Sequence, residues 1–311
     1  MTKPSATAGE GAATATVECF AEGSDGTRIY VRRRQGGDRE SGRAVTAVMA
    51  DGIICDGYIY KYLWGDLAPL VNVAHWNYRG HGRSGVPVDP RRIKVEDHAA
   101  DLDAVRHCIG DPPVVLIGHS FGTQVVLEAY RLRPERVVAL ILLCGSFGRV
   151  TYTFKGSDML AGELPNLIAI TEQHRRLARA LWSRFPVRFG LELARLTGDV
   201  DLSRVRPEDL EPYFRHAAHV DFEMFLRMLR EAGEHSAEDL LPQVRVPALV
   251  IAGERDSFTP AGVSEVMARM LPRGEYELFK GGTHVLPLEN REGVYDRIQT
   301  FLAHALVEYS K

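Results

Sequence analysis

Residues 113–122 read PVVLIGHSFG, an apolar run that ends in the pentapeptide Gly118-His119-Ser120-Phe121-Gly122. A helix-like segment follows from Thr123 to Arg131. The pentapeptide matches the pattern G-x-S-x-G, in which a serine on a sharp strand-to-helix turn holds its hydroxyl clear of neighbouring side chains. Small glycines let the backbone pass through such a cramped turn. The sequence therefore predicts that Ser120 is a nucleophile placed to attack a carbonyl.

A serine hydroxyl is a weak nucleophile at neutral pH, so it needs a general base, and the base needs an acid that orients it. Two later segments offer these groups at the ends of apparent strands. Residues 249–253, LVIAG, read as a buried strand and are followed by Glu254 and Asp256. Residues 276–279 read as the next strand and are followed by Gly281, Gly282 and His284. The chain order is therefore serine, acid, histidine.

This order, together with the elbow, resembles the α/β-hydrolase superfamily, in the branch of esterases, lactonases, carbon–carbon bond hydrolases and haloperoxidases. Residues 79–85, RGHGRSG, are similar to a glycine loop that follows the fourth strand in that branch, and the resemblance covers roughly residues 15–310. It implies a triad of Ser120, Asp256 and His284, because a strand-end Gly-x-x-Asp fits the family pattern better than Glu254 does. By analogy, the oxyanion hole is formed by the backbone N–H groups of Ile53 and Phe121.

Two positions depart from the family pattern. The turn after the third strand usually reads His-Gly, whereas this chain has Asp51-Gly52. A carboxylate aimed at a developing oxyanion would oppose catalysis, since like charges repel strongly in a desolvated site. We therefore expect Asp51 to point away and to hold its own loop through a hydrogen bond. The second departure is Asn77, which stands where an acidic residue is common and makes the substrate class less predictable.

Length and composition suit a single enzyme with one α/β core and an insertion, since the chain has 311 residues and a net charge of −3. A protein with this net negative charge is not attracted electrostatically to nucleic acid or to an anionic membrane, so we expect neither partner. The four cysteines are scattered and form no C-x-x-C pair, which argues against a zinc site and a disulfide scaffold. We expect no metal or cofactor. Residues 1–15 lack a signal-peptide pattern and read as a disordered leader, so the expected location is the cytoplasm.

Strand and helix patterns alternate along most of the chain, which predicts a mostly parallel sheet with helices on both faces. The resemblance to the α/β-hydrolase superfamily implies an α/β-hydrolase fold in which this sheet has eight strands. The predicted core comprises residues 16–146 and 243–311, and it begins with an antiparallel hairpin. Residues 147–242 have helical character and are predicted to form an inserted helical cap. Within it, we expect a helix over Thr171–Phe185 that begins at Thr171 and packs through Leu177, Ala180 and Leu181. The candidates for pocket lining are Tyr152, Phe154, Leu160, Phe185, Phe214 and Phe225.

The expected activity is hydrolysis of a small or medium ester or lactone through a Ser-His-Asp triad and an acyl-enzyme. A serine nucleophile disfavours haloalkane dehalogenation and epoxide opening, which use a carboxylate in related enzymes. Carbon–carbon bond hydrolysis, thioester hydrolysis and acyl transfer share the same triad and stay open, as does a receptor that binds a small ligand with little turnover. The partner expected in each case is a small molecule. The sequence does not fix the oligomeric state.

Overall fold

The computed structural model describes residues 15–36, 45–184 and 200–309, so most of the predicted leader, residues 1–14, lies outside the described residues. A single eight-stranded sheet runs through them in the order β1-β2-β4-β3-β5-β6-β7-β8. The strands are β1 (Val17–Glu22), β2 (Arg28–Arg34), β3 (Thr46–Ala50), β4 (Asn72–Trp76), β5 (Val114–His119), β6 (Val137–Leu143), β7 (Ala248–Gly253) and β8 (Gly274–Phe279).

Most of the sheet is parallel. β1 pairs antiparallel with β2, which confirms the predicted opening hairpin, and β2 pairs antiparallel with β4. The pairs that β3 to β8 form with one another are all parallel. The central strands β3, β5, β6 and β7 are buried along their whole length, because helices cover both faces of the sheet. The predicted fold class is confirmed, and the carboxyl ends of the parallel strands share one edge.

Eleven α-helices lie in the described ranges. They are α1 (Leu63–Asp66), α2 (Val95–Cys108), α3 (Phe121–Leu132), α4 (Val150–Thr153), α5 (Met159–Gln173), α6 (Arg175–Trp182), α7 (Pro207–Ala217), α8 (Phe222–Glu234), α9 (Ala261–Met270), α10 (Leu286–Glu289) and α11 (Arg291–Tyr309). Residues of α2, α3 and α9 join the apolar core on one face of the sheet, and those of α1 and α11 join the core on the other. Within the described ranges, no helix combines the length and apolar character needed to cross a membrane.

One expectation for the insertion between β6 and β7 is wrong. Thr171 does not begin a helix but lies buried inside α5, which continues to Gln173. The preference of threonine for a helix start is a local effect, and here the burial of Leu164 and Ile168 against α8 extends the helix past it. The helical conformation is interrupted at His174, and α6 begins at the next residue. The side chains of Leu177 and Leu181 on α6 face solvent, with 60% and 66% of their surface exposed.

Two of the scattered cysteines meet in the fold. The Sγ atoms of Cys19 on β1 and Cys108 on α2 lie 2.9 Å apart as free thiols, although 89 residues separate them in the chain. The contact joins the edge of the sheet to the helix that covers it.

Candidate active site

The turn between β5 and α3 has the geometry expected of a nucleophile elbow. Ser120 has φ 55° and ψ −119°, a conformation that non-glycine residues rarely adopt. The flanking glycines are required by close backbone contacts. A Cβ on Gly118 would lie 2.4 Å from the carbonyl oxygen of Gly122, and one on Gly122 would lie 2.2 Å from that of Ala50. The strained backbone of Ser120 is thus held in place by packing that allows no side chain at Gly118 or Gly122.

The predicted acid and base meet at the ends of β7 and β8. The Nδ1 atom of His284 lies 2.9 Å from Oδ2 of Asp256, whose side chain is fully buried. The other carboxylate oxygen, Oδ1, accepts the backbone N–H groups of Phe258 and Thr259, each at 2.9 Å. An ionised carboxylate can only accept, so Nδ1 of His284 donates to it and Nε2 is left as the basic nitrogen of the neutral ring.

His284 is also tied to the elbow itself. The Nε2 atom of His119 lies 2.9 Å from the backbone oxygen of His284. Burial lowers the pKa of His119 to about 3, so its ring is neutral and donates through Nε2. The His119 and Phe258 rings both contact the His284 ring, at centroid distances of 4.9 and 4.8 Å. Within the described part of the chain, no hydrogen bond joins the hydroxyl of Ser120 to His284.

Sequence reasoning missed three supporting residues. They are His119, Thr259 and Glu289, to which the sequence assigns no role. The carboxylate of Glu289 accepts from the backbone N–H and the hydroxyl of Thr283, at 2.7 and 2.6 Å, and so fixes the residue that precedes His284. The spacing of Thr259 three residues after an aspartate at a strand end is a turn signal that could have identified it. Nothing in the sequence pairs His119 or Glu289 with the histidine loop.

One predicted oxyanion donor, Ile53, belongs to the loop after β3, and the other, Phe121, belongs to the elbow itself. A Cβ on Gly52 would lie 3.3 Å from Cβ of Ser120, so the loop after β3 passes directly beside the nucleophile. Ile53 follows in this loop. Phe121 is the first residue of α3, where a backbone N–H has no acceptor within the helix. Ile53, Phe121 and Ser120 line the same cavity.

The side chain of Asp51 is buried, and its hydrogen-bond partner lies outside its own loop. Its Oδ2 lies 2.7 Å from Nε2 of His75 on the neighbouring strand β4, and both side chains are 1% exposed. Its backbone carbonyl accepts the hydroxyl of Tyr78 at 2.7 Å. The expected hydrogen bond thus exists, but its partner lies on β4. Burial and the negative charge of Asp51 raise the pKa of Cys55 well above the usual thiol value, so this nearby cysteine is a poor nucleophile.

A cavity of about 350 Å³ opens onto Ser120. Its wall comes from the loop after β3, from α3, and from the helices of the insertion, chiefly α5 and α8. Of the candidate lining residues, Phe154, Leu160 and Phe225 line it. Tyr152 is instead half exposed, and Phe214 packs against the apolar core that contains residues of α1 and α11. Phe185 lies outside the described residues. None of the described lining residues carries a formal charge. The complete set of described lining residues is Ile53, Ile54, Ser120, Phe121, Gln124, Val150, Phe154, Leu160, Leu164, Leu167, Tyr213, Phe222, Phe225, Leu226, Leu229, Ala232, Phe258 and Thr259.

Comparison with known proteins gives consistent results. The model of the alpha/beta hydrolase fold matches residues 72–291. The polyketide synthase ThaQ of Burkholderia thailandensis is 26% identical over 267 residues, which are 85% of this chain but 12% of the synthase. The pimeloyl-[acyl-carrier protein] methyl ester esterase of Xanthomonas oryzae pv. oryzae is 27% identical over 282 residues, covering 84% of this chain and 96% of that enzyme. Among solved structures, an esterase from Exiguobacterium antarcticum superposes with a TM-score of 0.71 at 22% identity, covering 92% of this chain and all of that one.

Proposed function

Since the chain belongs to the alpha/beta hydrolase fold family, we propose that it is a hydrolase that cleaves a small or medium ester or lactone through an acyl-enzyme on Ser120. The helices between β6 and β7 form the cap that encloses the substrate. The observation that carries this proposal is the buried pair of Asp256 and His284, whose loop is bonded to the elbow residue His119. The named activity of the Xanthomonas relative, hydrolysis of a methyl ester, supports the same reaction class.

In the proposed reaction, Nε2 of His284 takes the proton of the Ser120 hydroxyl as the oxygen attacks the ester carbonyl. The tetrahedral intermediate collapses when His284 returns the proton to the leaving alcohol. Water then attacks the acyl-enzyme with His284 again acting as the base. Asp256 keeps the ring in the required tautomer and stabilises its charged form.

The negative oxygen of the intermediate is bound by the backbone N–H groups of Ile53 and Phe121. Loss of one such donor typically costs about 3 to 4 kcal/mol of transition-state stabilisation. The contact of Asp51 with His75 supports this arrangement, because it holds the carboxylate that adjoins the loop away from the developing charge.

A second candidate, a receptor that binds a small ligand with little turnover, is favoured by one observation. The hydroxyl of Ser120 is not hydrogen-bonded to His284 in the described residues. Hydrogen bonds of this kind often tighten only when substrate binds, so the same observation is compatible with an enzyme. Turnover therefore distinguishes the two candidates.

The test is reaction with a fluorophosphonate and hydrolysis of p-nitrophenyl esters. We expect covalent labelling at Ser120, located by peptide mass spectrometry, and loss of both labelling and hydrolysis in Ser120→Ala. The matched control is Ser264→Ala, which removes a buried serine hydroxyl that contacts the backbone of Gly145 instead of the cavity. Labelling at another serine, or hydrolysis that survives in Ser120→Ala, would refute the proposal. Ligand binding without any turnover would support the receptor.

A further inference from the structure

One polar side chain in the wall of the cavity has a role that the proposed reaction does not use. Gln124 lies one helical turn after Ser120 on α3, is fully buried and lines the cavity. Ser120 precedes α3 and has a non-helical backbone, so the two residues are related by the cavity that both of them line. A group bound at the nucleophile therefore shares this cavity with the side chain of Gln124.

The nitrogen of this carboxamide is fully engaged. Nε2 of Gln124 donates to the backbone oxygen of Ala232 at 2.9 Å and also lies 2.9 Å from Nδ1 of His235. Nε2 of His235 lies 2.9 Å from the carboxylate of Glu128, which accepts in addition from Arg131. A carboxylate and a carbonyl can only accept hydrogen bonds. His235 therefore donates to Glu128 and accepts at Nδ1, and both hydrogens of the Gln124 amide are used.

This network also fixes which way the amide points. If the carboxamide were rotated by 180°, its oxygen would lie 2.9 Å from the carbonyl oxygen of Ala232, and two acceptors would face each other. The observed orientation leaves Oε1 of Gln124 buried, with no hydrogen-bond partner among the described residues. A buried acceptor without a partner is destabilising, and a ligand that supplies a donor removes this penalty.

The remaining lining is uncharged and mostly apolar, and the volume of about 350 Å³ lies at the lower end of the range for small-molecule sites. We propose that this pocket binds a neutral, medium-length acyl chain that carries a hydroxyl group near its carbonyl end, and that this hydroxyl donates to Oε1 of Gln124. This inference rests on the proposed function, because it takes Ser120 as the point of attack. It adds the substrate class, a hydroxyacyl ester.

The test compares kcat/KM for the methyl esters of octanoate, 3-hydroxyoctanoate, 3-oxooctanoate and 8-hydroxyoctanoate, with released acid measured by pH-stat titration. We expect the 3-hydroxy ester to be preferred over octanoate by about threefold to tenfold, the range of one neutral hydrogen bond. The 3-oxo ester has similar polarity but no donor, so it should be a poorer substrate than octanoate. The 8-hydroxy ester carries its donor far from Gln124 and should show no preference.

Gln124→Met keeps a similar side-chain volume and removes the acceptor, so the 3-hydroxy preference should fall to about one. Because each ratio compares two substrates on one preparation, partial loss of folded protein cancels. The control Leu229→Met alters the lining without removing the acceptor and should keep the ratio. A wild-type ratio of one or less, or a preference that persists in Gln124→Met, would overturn the inference.

If no ester is hydrolysed, the proposed function fails, and the inference is then judged by binding alone. Isothermal titration of wild type and Gln124→Met with 3-hydroxyoctanoate and octanoate measures the same contact without turnover. Tighter binding of the hydroxy acid by wild type, lost in Gln124→Met, supports the inference. Equal binding of the two acids by wild type contradicts it.

Discussion

Replacement of His75 by phenylalanine should show how strongly the buried contact between Asp51 and His75 stabilises the fold. Among the described residues, His75 is the only hydrogen-bond partner of Oδ2 of Asp51, and Oδ1 has no hydrogen-bond partner. His75→Phe therefore leaves a buried carboxylate uncompensated. Removal of one member of a buried pair typically costs about 3 to 5 kcal/mol.

The cost has an upper limit set by protonation. A carboxylate that cannot find a partner can take up a proton, and forced protonation of an aspartic acid at pH 7 costs about 4 kcal/mol. Whether the carboxyl group stays ionised without a partner or takes up a proton, the expected loss in the free energy of unfolding is about 3 to 4 kcal/mol. The assay is urea denaturation followed by tryptophan fluorescence. With a slope near 3 kcal/mol per M, the midpoint should fall by about 1 M.

One comparison tests the reasoning behind this number. The double variant Asp51→Asn/His75→Phe lacks the charge and should recover about 1 to 3 kcal/mol relative to His75→Phe alone. A double variant no more stable than His75→Phe would show that an unpaired charge is not the cause.

Two other predictions concern Asp256 and the buried histidine His81. In Asp256→Asn, Oδ1 must remain the acceptor of two backbone N–H groups, so the amide nitrogen faces Nδ1 of His284 and forces the wrong tautomer. We expect kcat for an ester to fall by about 10⁴ with the urea midpoint little changed, and a loss below about tenfold would argue against the assigned role of Asp256. Burial holds the pKa of His81 at about 4 and that of His119 at about 3. Below pH 6.5 the unfolded chain therefore binds more protons than the folded chain does. The free energy of unfolding consequently falls as the pH drops. Between pH 7 and 5, His81→Gln should lose about 2 kcal/mol less stability than wild type in urea titrations, and equal losses would contradict the prediction.

Local patterns were sufficient to predict the fold class and the elbow. The period of apolar residues marked the buried strands, and the glycines around Ser120 marked a turn that only small residues allow. The confirmed, mostly parallel sheet follows from alternating strands and helices, because helices between parallel strands cover both faces of the sheet. The assignments of Asp256 and His284 depended on residues at strand ends, and the structure brings these two together.

The sequence by itself thus determined which backbone segments form the sheet and which reactive groups stand at its carboxyl edge. Only the tertiary structure decided the partners of those groups: His75 for Asp51, His119 for the loop of His284, and the network that leaves the oxygen of Gln124 without a partner. It also decided which insertion residues line the cavity. The reason is physical. Secondary structure follows from interactions between near neighbours in the chain, whereas buried hydrogen bonds and packing join atoms whose separation in space has no counterpart in the sequence.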